Sequence, residues 1–225
     1  MKKTINQTVG SLLINILQAG TGVIFLGFSV YLLIQANIGV SPWDTFILGL
    51  TNVFDISYGE GFFVVSASLL LIDLLMHEPI GISMVMYSFM MGRIVDFFDC
   101  INLVPQQQKL MSGILLMIFG LIIAGFSQVL YMRAALGCGP RDTFIVGLSR
   151  RFPRISIGTI SVIENVVVTV IGWRLGGPIG IGTLICAVLT GPIMELDFRL
   201  VHFDATKVRH QNITASVAVL LKTKM

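Results

Sequence analysis

The sequence predicts an all-α, polytopic membrane bundle: six transmembrane helices in two internal repeats of three, inverted relative to each other, with a short re-entrant or broken helix in each repeat. Three observations predict it. Of the 225 residues 55% are hydrophobic and 12% charged, and mean hydropathy is +0.88, more apolar surface than a soluble core of this size can hide. The apolar residues fall into runs near the ~20 residues a helix needs to cross a hydrocarbon core of about 30 Å. Finally, GVSPWDTFILGL at 39–50 returns at 137–148 as GCGPRDTFIVGL.

The first run, 11–35, follows Lys2 and Lys3. It exceeds the ~7–15 apolar residues of a signal-peptide core, and no small-residue cleavage pattern closes it, so it reads as a retained span. The segment at 42–53 begins with a helix-start signature: Ser41 as N-cap, Pro42 at the first helical position and Asp44 in the first turn. At 1.5 Å per residue it extends roughly 18 Å, too short to cross. Further spans are expected at 58–76, 79–98 and 110–132. A second short helix starts at Pro140, with Gly139 in place of the capping serine and Asp142 in its first turn. The last two spans are expected at 156–173 and 178–194. One transmembrane domain thus covers 1–198, repeat 1 at about 11–99 and repeat 2 at about 109–198. A basic cytoplasmic tail, 199–225, follows; it carries Lys207, Arg209, Lys222 and Lys224 around an apolar run, 215–221, too short to span.

The repeats align over some 80 positions. Residue i over i+98 pairs Gly27-Phe28-Ser29 with Gly125-Phe126-Ser127, Gly39 with Gly137 and Asp44-Thr45-Phe46-Ile47 with Asp142-Thr143-Phe144-Ile145. After a one-residue shift, Gly59 matches Gly158, Pro79-Ile80-Gly81-Ile82 matches Pro178-Ile179-Gly180-Ile181, Gly92 matches Gly191 and Asp96 matches Glu195. With both termini cytoplasmic, twelve basic residues lie inside and three (Arg93, Lys109, Arg174) outside, satisfying the positive-inside rule. Eight crossings score the same twelve against three, so the shortness of the two segments decides for six.

Broken helices placed alike in two repeats point to a transport site near the bilayer midplane, because their free N–H groups and irregular backbone survive only against protein or water. The candidate solute-binding residues are therefore Gly39, Ser41, Trp43, Asp44 and Thr45, with Gly137, Gly139, Arg141, Asp142 and Thr143. Either aspartate also serves simply as a helix cap. Glu164 beside Asn165, about nine residues into its span, is the candidate coupling or proton-handling group, since charge inside lipid is costly. Arg93 and Asp96, three apart on one helix face, form a candidate ion pair. Asp73 and His77 read as interfacial. Cys100, Cys138 and Cys186 fit neither a disulfide framework nor a metal site and read as buried small hydrophobes. No metal and no cofactor is expected. The basic residues do not interleave with aromatics, so the expected partners are membrane lipid and a small polar solute, not nucleic acid, with a homo-oligomer left open.

The stretch GFSVYLLIQANIGVSPWDTFILGL, followed by the PIGI-type third span, resembles the YczE/YyaS/YitT-like group of bacterial integral membrane proteins, and within it looks closest to the YczE-like branch. The resemblance covers the chain to about Phe198. It implies a bacterial plasma-membrane setting and carries over no catalytic residues. The first functional reading is a secondary transporter or facilitator of a small polar or anionic solute bound between the repeats. The alternative is a membrane regulator or scaffold supporting a partner's biosynthesis or secretion. No HExxH, GxSxG, Walker A or CxxC arrangement is present, and an enzyme is not expected.

Overall fold

A computed structural model describes residues 9–203, and among these all regular structure is helical. The helices are α1 (Val9–Gln35), α2 (Pro42–Phe54), α3 (Tyr58–Leu75), α4 (Ile82–Cys100), α5 (Leu110–Arg133), α6 (Pro140–Arg151), α7 (Ile157–Arg174) and α8 (Ile181–Leu200). Five of them, α1, α3, α5, α7 and α8, are long and apolar enough to cross a membrane. The sixth expected run became α4, which has the length at 19 residues but carries Arg93, Asp96 and Asp99. Lys2, Lys3 and the tail from 204 onward lie outside the described residues.

Local sequence explains where the helices start. Ser41 caps α2, with Pro42 pre-set for the first turn. Ser57 and Glu60 close a reciprocal capping box on α3, and the Ser156 hydroxyl accepts from Thr159 N at 3.1 Å to start α7.

At the centre α1 runs along α5 and α4, α8 lies on α5, and α3 lies on α4. Small residues set these approaches. A Cβ on Gly22 would stand 2.8 Å from Tyr131 N, and Ser29 Oγ donates to the Gly120 carbonyl at 2.8 Å. Val23, Tyr31, Leu32, Met91 and Val95 build one core between α1 and α4. Leu33, Met117, Leu121 and Cys186 build another around α5 and α8. The outer faces of α7 and α8 stay apolar and exposed, with Val162, Val166, Leu184 and Val188 all more than half exposed, as lipid contact requires.

The two short helices each lie against the opposite half of the chain, α2 on α7 and α6 on α3. At one end of the bundle Gln35 Nε2 donates to Asp99 Oδ1 at 2.9 Å, Asn37 Nδ2 to the Gln107 carbonyl at 3.1 Å, and Ser57 Oγ to Asp96 Oδ2 at 2.7 Å. The end of α1, the α2–α3 junction and the end of α4 therefore share that end. At the other end Arg133 Nη2 donates to the Val201 carbonyl at 2.8 Å, and Arg150 Nη1 pairs with Glu78 Oε2 at 2.7 Å.

Two expectations need refining. Asp73 stands two residues before the end of α3, where an interfacial residue would, but it is fully buried within the protein, and neither carboxylate oxygen has a hydrogen-bond partner. Its helix face turns inward because the apolar residues on either side, Leu71, Leu74 and Leu75, take the exposed positions. Nor are the cysteines alike, since Cys100 at the end of α4 is exposed, Cys138 intermediate and only Cys186 buried.

Candidate functional site

The site is built where the first turns of α2 and α6 meet. Each short helix is entered through a glycine with positive φ, Gly39 at 103° and Gly137 at 124°, a backbone region L side chains rarely adopt. Space forbids a side chain as well. A Cβ on Gly39 would stand 2.6 Å from Gly180 N, and one on Gly137 2.7 Å from Gly81 Cα. The sharp turns seat the short helices against the Pro-Ile-Gly-Ile turns that precede α8 and α4. Backbone hydrogen bonds fix both seats: Gly182 N donates to the Ile38 carbonyl at 2.7 Å, and Ser83 N to the Leu136 carbonyl at 3.3 Å.

On α2 the Asp44 carboxylate is buried. The Ser41 hydroxyl donates to its Oδ2, and the Tyr58 hydroxyl to its Oδ1 at 2.7 Å. Thr45 turns its hydroxyl to the Ser41 carbonyl at 3.0 Å and the Pro178 carbonyl at 3.2 Å. On α6 no side chain caps the helix, because Gly139 has none to offer, and Thr143 Oγ1 donates back to the Gly139 carbonyl at 3.0 Å.

Arg141 joins the pieces. Its guanidinium stands 5.7 Å from the centre of the Trp43 ring, a cation–π approach. It also pairs with Glu164 Oε2 at 3.3 Å and donates to Asn165 Oδ1 at 2.9 Å. The Trp43 indole N–H faces the Glu164 carboxylate without reaching hydrogen-bond geometry. Trp43 Nε1 and Glu164 Oε1 are thus both buried without a hydrogen-bond partner, an arrangement that costs free energy and marks a place where a ligand group or proton is worth most.

Of the residues singled out from sequence, Trp43, Asp44, Arg141, Asp142, Glu164 and Asn165 gather here. Gly39, Ser41, Thr45, Gly137, Gly139 and Thr143 form the turns and first helical turns that hold them. Arg93 and Asp96 lie elsewhere and do not pair with each other. Asp96 accepts from Ser57 Oγ and, at 2.8 Å, from Gly59 N; the free donors of the α3 N-terminus hold it away from Arg93.

Sequence reasoning missed Tyr58, which supplies a proton donor to Asp44. It also missed Tyr87, which sits within electrostatic reach of Asp44, Asp142 and Arg141 and packs 5.9 Å, centre to centre, from the Tyr131 ring. Each is one aromatic among many in an apolar run, and the available signal was only that a tyrosine buried in a span needs a partner for its hydroxyl.

Apolar helices of spanning length around a buried polar cluster define a multi-pass helical membrane protein. The chain belongs to the family of unknown function DUF6198, whose model matches residues 13–197. It is similar to the uncharacterized membrane protein YczE of Bacillus subtilis (strain 168), 28% identical over 179 residues, 77% of this chain and 80% of YczE. It is also similar to the uncharacterized protein YyaS of the same organism, 26% identical over 195 residues, 82% of this chain and 93% of YyaS. An uncharacterized protein of Haemophilus influenzae is 24% identical over 176 residues, 78% of this chain and 79% of that protein. No solved structure matches.

Proposed function

We propose that this protein is a secondary transporter of a small polar solute, working by alternating access, and not an enzyme. In this reading it sits in the bacterial plasma membrane with both termini cytoplasmic. The spans are α1, α3 and α4 in one repeat and α5, α7 and α8 in an inverted second repeat, while α2 and α6 re-enter from opposite faces.

What supports the arrangement is the exchange of contacts between halves. The contact of Gly39 with Gly180 and that of Gly137 with Gly81 are the same contact with the repeats swapped. So are the bonds from Gly182 to Ile38 and from Ser83 to Leu136.

The observation that carries the transport reading is that one pair of equivalent helix crossings is closed on one side only. Between α3 and α4, Gly59 and Gly92 touch: a Cβ on Gly92 would stand 2.7 Å from Gly59 Cα, and Asp96 clasps Ser57 and Gly59. Their counterparts on α7 and α8 do not touch. A Cβ on Gly191 would meet nothing within 4 Å, one on Gly158 only Ser156 of its own turn, and Glu195 pairs instead with Arg199 of its own helix. Two inverted repeats in unequal conformations imply a second state in which the conformations are exchanged, and exchange opens the polar cluster to alternate sides.

The cluster holds two buried carboxylates, Asp44 and Glu164, with the exposed Asp142 at its edge, and one guanidinium, Arg141. That excess favours a solute carrying a positive group, or a proton taken in exchange, over the anionic solute. The test is flux in proteoliposomes across a panel of small amines, amino acids and polyols. A solute-dependent flux lost in Asp44→Asn and Glu164→Gln but kept in Glu195→Gln supports the reading, and absence of flux across the panel counts against it.

A further inference from the structure

We infer that the outer face of α1 and α4 carries a seat for one anionic phospholipid, with Arg93 as the contact for its phosphate. The inference does not rest on the transport reading. Arg93 lies seven residues before the end of α4 at Cys100, about 10 Å of helix rise, on the face of α4 left exposed by α3 and α1, and the inference rests on α4 spanning the membrane as proposed above. It is exposed, and none of the ion pairs among the described residues includes it. The carboxylates of its own helix are turned away: Asp96 binds Ser57 and Gly59, and Asp99 binds Gln35. An unpaired guanidinium at that depth is costly and reaches for the interface.

The surroundings tell a phospholipid from a free anion. Arg93 opens onto a groove of about 420 Å³ walled by Ile24, Phe89, Ile94 and Phe97. Phe89 and Phe97 stand one helical turn to either side of it and are 53% and 59% exposed. An inorganic phosphate gains nothing from such walls, whereas an acyl chain lying between the two rings is removed from neighbouring lipid without losing apolar contact. The guanidinium then makes paired, charge-assisted hydrogen bonds to the phosphate oxygens. One charged side chain beside one apolar groove fits one lipid.

The test is native mass spectrometry of the full chain released from nanodiscs of mixed phosphatidylglycerol and phosphatidylcholine. Wild type is expected to retain one phosphatidylglycerol in preference to phosphatidylcholine. Retention is expected to fall about tenfold in Arg93→Gln and to be unchanged in Arg199→Gln, whose charge sits on another helix. Equal retention in wild type and Arg93→Gln overturns the inference, as does a dimer that covers this groove and carries no lipid. Competition by inorganic phosphate in detergent as effective as that by phosphatidylglycerol also overturns it. Should Arg93→Gln not survive extraction, Phe97→Ala removes a wall and leaves the charge: lost phosphatidylglycerol then supports the seat, and unchanged retention sinks it.

Discussion

Arg141 stands with its guanidinium 5.7 Å from the centre of the Trp43 ring while holding Glu164 and Asn165, so one side chain ties the first turns of α6 and α2 to the middle of α7. Replacing it strands a buried carboxylate. Arg141→Gln is expected to destabilise the protein by about 2 kcal/mol, less than a fully buried pair would cost because Arg141 is 38% exposed. The double variant Arg141→Gln with Glu164→Gln should recover part of that loss. Arg141→Lys should not restore function, since an ammonium reproduces neither the fork nor the stacking. Thermal unfolding in detergent checks the first two outcomes and flux the third.

The glycines separate into two kinds. Gly39→Ala and Gly137→Ala put a Cβ at positive φ against the backbone of Gly180 or Gly81, and each should lower stability by about 2–3 kcal/mol. Gly191→Ala meets nothing and should leave stability unchanged or raise it by up to about 1 kcal/mol. If α7 and α8 must close on each other, that harmless variant should still slow transport. Unfolding curves and flux, measured side by side, expose the contrast.

Asp96 braces the capped N-terminus of α3, accepting from Ser57 Oγ and Gly59 N, and is not the partner of Arg93. Asp96→Ala should cost about 1–2 kcal/mol by freeing the Ser57 hydroxyl and the Gly59 N–H. A double-mutant cycle with Arg93→Gln should give a coupling near zero. Coupling well above zero would restore the ion pair.

The proposal that α2 re-enters makes a topological prediction. Asn37 and Asp55 flank it and are both exposed. Single cysteines at these two positions should be labelled by an impermeant thiol reagent from the same face of the membrane. Labelling from opposite faces means that α2 crosses.

Much of this was legible in the chain. Length and apolar content announce the spans, and the capping serine, the proline and the two glycines announce the short helices and their sharp entries. The repeated stretch brought Trp43, Asp44, Arg141 and Asp142 to notice, and the cost of charge in lipid brought Glu164. What was not legible depends on approach between distant segments. That Arg141 would reach Glu164 and Asn165, that Tyr58 would serve Asp44, and that Asp96 would prefer the α3 N-terminus to an arginine one turn away are outcomes of packing across helices. Sequence spacing favours the local pair, and tertiary donors with no other partner win. The inequality between the Gly59–Gly92 and Gly158–Gly191 crossings is only partly written in sequence: glycines occupy both, but Pro192 follows Gly191 inside α8 where Arg93 follows Gly92 in α4, and which crossing is closed is decided by packing.

That inequality also supplies the most direct test. With Cys100, Cys138 and Cys186 changed to Ser, a Gly158→Cys, Gly191→Cys pair in native membranes should form a cross-link under mild oxidation, although the two positions are apart in the conformation described here. Locking it should arrest flux until the bond is reduced. If no cross-link forms under any solute or ion condition while the protein stays folded, α7 and α8 do not close, and alternating access by exchange of the two repeats is wrong.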